Sequence, residues 1–146
     1  MCIRLGRWSL PLLALVAFGC EQPIKWSIEP KVTPEPVKKD KKYVATCKVT
    51  GKLDTVGHVS AIPIVAPEFT MELKDDGKDP DQKAGDGIFT TTGDVPAEAE
   101  PGLYEIEFVV YDKKGDPIKV PDPKKKDNKG KPELVDLSKI ITVTLE

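Results

Sequence analysis

Residues 101–115 read Pro-Gly-Leu-Tyr-Glu-Ile-Glu-Phe-Val-Val-Tyr-Asp-Lys-Lys-Gly. After the Pro-Gly break, Tyr104, Ile106, Phe108 and Val110 alternate with Glu105 and Glu107. Alternation with period 2 is the mark of a strand buried on one face, because successive side chains point to opposite sides. Asp112-Lys113-Lys114-Gly115 then reads as a hairpin turn, where Asp caps its own backbone and Gly tolerates the required dihedrals.

The same period recurs on both sides of this segment. Tyr43, Ala45, Cys47 and Val49 alternate with Val44, Thr46, Lys48 and Thr50. His58 to Ala66 is apolar and β-branched, and Pro63 marks an edge or bulge within it. Phe69, Met71 and Leu73 alternate with Thr70, Glu72 and Lys74; Ile88 to Thr92 is a short strand; Ile141, Val143 and Leu145 alternate with threonines. No helical period stands out beyond the first twenty residues. These strands, separated by Gly, Pro and Asp turns, predict an all-β, immunoglobulin-like antiparallel β-sandwich of about seven strands over residues 41–146.

The penultimate strand and its turn, residues 101–115, resemble those of immunoglobulin-like bacterial domains. A second stretch adds to this. Asp75-Asp76-Gly77, then Asp81, then Ala84-Gly85-Asp86-Gly87-Ile88-Phe89-Thr90 is similar to a signature of bacterial surface domains of the choice-of-anchor X group. The resemblance covers roughly residues 42–115 and implies an immunoglobulin-like fold and an envelope location. Residues 112–136 depart from the compact ending of that group with a Lys/Asp/Pro/Gly-rich insertion. Pro117, Pro121, Pro123 and Pro132 oppose regular pairing there, although Ile118 to Val120 and Leu134-Val135 could form a small ladder.

The N-terminus carries an address. Arg4 and Arg7 precede an apolar run from Trp8 to Phe18, and Ala17-Phe18-Gly19-Cys20 closes it. A charged start, a short apolar stretch and small residues at the cut define a secretory signal. The run falls short of the ~20 residues that span a bilayer. It resembles a bacterial lipoprotein signal, residues 1–19, cut before Cys20 with lipid added to that cysteine. Ala17 and Phe18 depart from the usual Leu-Ala/Ser start of such a box. An ordinary signal, cut nearby, would leave Cys20 a plain thiol. Glu21 is not the aspartate that retains enteric lipoproteins at the inner membrane, so the resemblance points to the outer membrane.

Residues 20–40 hold Pro23, Pro30, Pro34 and Pro36 among Lys and Glu. They read as a semi-rigid tether of about 3.1 Å per residue where polyproline-like. Ile24 to Glu29 also alternates, so this stretch could instead form a first edge strand with Trp26, or Ile24 and Ile28, facing inward.

Removing residues 1–19 takes away two arginines and no acid, moving the net charge from −2 to −4. A mildly acidic, well-mixed chain has no nucleic-acid footprint. Lys124-Lys125-Lys126 forms one basic run in the insertion. It suits contact with an acidic polymer or anionic headgroups; the plainer alternative is a solvated loop, since Asp122, Asp127 and Glu133 flank it. With Cys2 removed and Cys20 lipidated, Cys47 stands alone and no disulfide can form within the domain.

Five aspartates fall within residues 75–86. Calcium takes about six to eight oxygens from carboxylates and carbonyls, and a glycine-punctuated loop can turn them inward. Asp75, Asp79, Asp81 and Asp86 are the candidate ligands of a possible Ca2+. The segment lacks the spacing of an EF-hand. The alternative is structural: Asp-Gly is a favoured turn, and Asp side chains cap backbone N–H groups without metal.

Catalytic constellations are weak. Cys47 and His58 invite a thiol-nucleophile reading, but Cys47 shares the apolar face of Tyr43, Ala45 and Val49, and His58 follows Gly57 in an expected loop. There is no nucleophile elbow, phosphate loop or dinucleotide fingerprint. The expected function is therefore a non-catalytic, lipid-anchored module that binds or scaffolds an envelope protein or polysaccharide. The alternative is a small envelope hydrolase or an accessory subunit of a larger complex. A third reading is a chaperone-like or inhibitory partner that uses an exposed edge strand.

Overall fold

The computed structural model describes residues 22–146. The signal segment and Cys20 lie outside the described residues. Nine strands follow in order: β1 (Ser27–Thr33), β2 (Lys42–Thr50), β3 (Val56–Pro63), β4 (Met71–Leu73), β5 (Ile88–Asp94), β6 (Gly102–Asp112), β7 (Lys119–Lys126), β8 (Pro132–Asp136) and β9 (Ser138–Leu145). Seven of them make two antiparallel sheets, ordered β1-β2-β5 and β4-β3-β6-β9, and β7-β8 is a separate two-stranded ladder. The two larger sheets give the seven-stranded, immunoglobulin-like sandwich predicted from the alternation. Among the described residues no helix is long and apolar enough to cross a membrane.

The inward residues of the alternating strands form the core. Ala45, Cys47 and Val49 of β2 and Phe89 of β5 face Val59, Ala61, Leu73, Phe108 and Val110 of the other sheet. Phe108, Leu73, Val59, Val110 and Cys47 are fully buried. Each such apolar side chain contributes about 1.5–3 kcal/mol relative to exposure. Phe69 was expected on the β4 strand; instead Pro67–Phe69 forms a 3-10 turn, because Pro67 cannot donate to a ladder. His58, expected in a loop, lies in β3 opposite Tyr111, with ring centroids 4.8 Å apart and planes within 6°.

The proline-rich stretch supplies the first strand. β1 pairs with β2 from Ser27↔Thr50 to Thr33↔Val44, with Ile28 and Val32 buried and Ile24 exposed. Trp26 packs over Gly51, whose φ of +143° and lack of a side chain let the ring close on the backbone; a Cβ there would run into the indole. Pro34 and Pro36 end the ladder. Val37 then crosses to the other sheet and bridges Leu145 in parallel, donating its N–H to Thr144 O at 2.8 Å.

The insertion after Asp112 is more regular than its prolines suggest. β7 and β8 pair from Lys119↔Asp136 to Lys126↔Pro132. Pro121 and Pro123 are tolerated because this two-stranded ladder has open edges.

Register sorts the loops into two ends. Ser27, Thr50, Val56, Asp112 and Ser138 lie at one end of the sandwich, with the 75–87 loop. Thr33, Lys42, Asp94, Pro63, Gly102 and Leu145 lie at the other. The chain therefore enters the fold at the end that carries the aspartate loop.

Candidate functional site

The aspartate loop runs from β4 to β5 and is closed by its own carboxylates. Asp75 Oδ1 accepts from Gly85 N–H at 2.6 Å and from Asp86 N–H at 3.3 Å, and its Oδ2 accepts from Gly87 N–H at 2.9 Å. Asp81 is buried and accepts from Gly77 N–H at 2.6 Å and Lys83 N–H at 3.4 Å. Asp86 Oδ1 caps Ile88 N–H at 2.9 Å. Gly87 has φ +82°, and a Cβ there would sit 2.9 Å from Val49 O. Glycine at this position lets the loop lie against the end of β2, where Val49 N–H donates to Gly87 O at 2.8 Å.

Three of the four proposed ligands converge. One carboxylate oxygen each from Asp75, Asp81 and Asp86 lies within 4.8 Å of the others. Asp79 does not join them. Lys78 to Asp81 form a turn, closed by Asp81 N–H donating to Lys78 O at 2.7 Å, and exposed Asp79 stands at its corner. The donor set is entirely oxygen, which suits a hard cation. Each carboxylate oxygen has two lone pairs, so the backbone donors leave some capacity for a metal. The same donors also satisfy the loop as a self-capped turn, so both readings of the sequence have their geometry here.

Beside the loop is a cleft of about 470 Å3, lined by His58, Glu72, Lys74, Asp75, Asp112 and Lys113 among others. Asp112 Oδ1 accepts from Asp116 N–H at 3.0 Å and Lys114 N–H at 2.8 Å. These hydrogen bonds, Asp116 foremost, hold its carboxyl below the usual carboxylate range.

Cys47 and His58 do not form a pair. They lie in different sheets, and Cys47 is fully buried. Burial, partly offset by the charge of Lys139, pushes its thiol up to about 12. A thiol so held is not a nucleophile at neutral pH.

A feature that sequence reasoning missed lies at the opposite end. A cleft of about 700 Å3 opens between the sheets, lined by Val32, Tyr43, Phe69, Met71, Tyr104 and Val143 among others. Tyr43 donates its hydroxyl to Met71 Sδ at 2.9 Å. Burial, and then the negative charge of Asp94, holds this phenol above its ordinary range. Ile64, Val65, Phe69 and Leu103 are exposed at the same end. The signal was present in the apolar run from His58 to Ala66, which is longer than the strand it contains. No family model matches the chain, and no curated protein matches it.

Proposed function

We propose that this protein is a non-catalytic, lipid-anchored module of a bacterial envelope, most simply of the outer membrane, that presents the cleft end of its sandwich to a binding partner. The anchor rests on the run from Arg4 to Cys20, and the orientation rests on the register Ser27↔Thr50. The folded domain begins seven residues after Cys20. A leash of that length spans at most about 25 Å. Acyl chains on Cys20 would hold the aspartate-loop end near the bilayer and turn the apolar cleft and exposed Val65 and Leu103 outward. Pockets of this kind, apolar with a few polar groups at the rim, are the usual form of a binding site. Mass spectrometry of membrane-extracted protein tests the anchor. Acyl mass on an N-terminal Cys20 is expected; an unmodified thiol overturns the reading.

A second element of the proposal concerns the loop. We propose that Asp75, Asp81 and Asp86, with one oxygen of each within 4.8 Å of the others, hold a calcium ion, which would relieve the repulsion among three carboxylates and stiffen that end of the sandwich. Backbone carbonyls and water would complete the shell. A melt with calcium and with chelator tests it, and an unchanged midpoint leaves the loop as a self-capped turn.

A further inference from the structure

We infer that the apolar cleft between the sheets binds a small organic cation, an ammonium or guanidinium carried on an apolar body. This deepens the reading of the cleft end as the binding end and rests on it. Tyr43, Phe69, Met71, Tyr104 and Val143 give the cleft an apolar and aromatic lining. Its charged lining is of one sign. Asp94, Glu98 and Glu100 line it, and no lysine, arginine or histidine does so among the described residues, in a chain with 22 lysines and arginines. Lys42 lies opposite Asp94 across the ladder but is exposed and outside the lining. The cleft beside the aspartate loop differs, since Lys74, Lys113 and Lys114 line it together with its acids.

The two phenols that line the cleft are acceptors in want of a donor. Tyr43 gives its hydroxyl proton to Met71 Sδ at 2.9 Å, and Tyr104 gives its own to Glu100 O at 2.6 Å. Each phenol oxygen keeps lone pairs that accept and has no proton left to give. Asp94, Glu98 and Glu100 are exposed and in no ion pair among the described residues. An anion would meet these acceptors with repulsion, and a neutral apolar molecule would leave the carboxylates unused. A cation supplies N–H donors to the oxygens, its charge is attracted by the carboxylates, and the aromatic faces attract it further once it leaves water. The cleft volume of about 700 Å3 falls within the range of small-molecule sites, about 300–1,000 Å3. A free small cation, rather than a protein surface, is therefore the occupant that fits.

The probes are phenylbutylammonium, phenylbutanol and phenylbutyrate, which share one apolar body and differ in charge. Equilibrium dialysis measures their binding to the mature acylated chain in phosphatidylcholine vesicles, with protein-free vesicles as the reference. The ammonium is expected to bind at least about tenfold tighter than the alcohol, and the carboxylate weakest of the three. In Asp94→Asn/Glu98→Gln/Glu100→Gln the ammonium should fall to the affinity of the alcohol. Unchanged binding of the alcohol shows that the variant keeps its fold and its cleft. Equal affinities for ammonium and alcohol in the unaltered protein overturn the cation and leave the cleft as a binding site. A preference for the ammonium that survives in the triple variant places the cation elsewhere and overturns the inference. Binding of no probe above the protein-free vesicles overturns the cleft as a small-molecule site and the cation with it.

Discussion

Ser27 and Thr50 are paired at the first position of the β1–β2 ladder, and this pairing brings the start of the folded chain to the end that bears the aspartate loop. Trp26 locks the arrangement by packing over Gly51. A strand entered from the other end would have put the leash beside the apolar cleft. Under the lipid-anchor proposal, the direction of one edge strand decides which loops would face a membrane and which would face away from it.

The Trp26–Gly51 contact should matter to stability. Gly51→Ala adds a Cβ where the indole lies and strains a positive φ, so a loss above about 1 kcal/mol is expected. Urea denaturation of the variant measures it. An unchanged midpoint would mean that Trp26 is not held on the backbone.

Asp75 should be the most sensitive residue of its loop. It accepts from three backbone N–H groups, whereas Asp86 accepts from one. Asp75→Ala is expected to cost about 1–3 kcal/mol by leaving donors unpaired, and Asp86→Ala less. Thermal melts compare them. If calcium binds, saturation at about a hundredfold above Kd would add about 2.7 kcal/mol, lost in Asp81→Asn.

Cys47 should be inert in the folded protein. A thiol probe is expected to react only when denaturant exposes it. The thiol's folded value of about 12 lies above its ordinary 9.0, so the folded state holds the proton more tightly. Its contribution to stability is present below pH 9 and falls as pH rises from 9 toward 12, a slope that Cys47→Ala removes. Rapid labelling of native protein at neutral pH would contradict the burial.

Asp112 works in the opposite direction. Its carboxyl is held below the ordinary 3.8, so the folded state favours the charged form. That contribution is present above pH 3.8 and is lost as pH falls through the depressed value. Asp112→Asn should weaken this acid sensitivity in chemical denaturation at low pH. An identical pH profile in the variant would count against the turn's hydrogen bonds.

The strands with the cleanest alternation were the most legible. Tyr104 to Val110 and Tyr43 to Val49 are strands because their inward residues meet across one core. Ile24 to Glu29 was ambiguous, since Pro30 within β1 reads as a tether until an edge position opposite Cys47 accommodates it. Asp75, Asp81 and Asp86 were legible as a group, but Asp79 was not separable from them, because its place at a turn corner depends on how Lys78 and Asp81 close. The cleft between Tyr43, Met71 and Tyr104 was hidden, because it arises where two sheets diverge and no local pattern marks that. The ladder from Lys119 to Asp136 was understated, because proline is a penalty only where its missing N–H would have been paired.

The most direct test is the orientation of the tethered domain. Asp54→Cys and Val65→Cys mark opposite ends of the sandwich, separated by roughly 30 Å at strand spacing. Energy transfer from a label at each position to an acceptor in the membrane surface would be measured on the mature acylated protein. Strong transfer from position 54 and weak transfer from position 65 is the predicted result. Equal transfer, reversed transfer, or a protein that does not associate with the bilayer would contradict it.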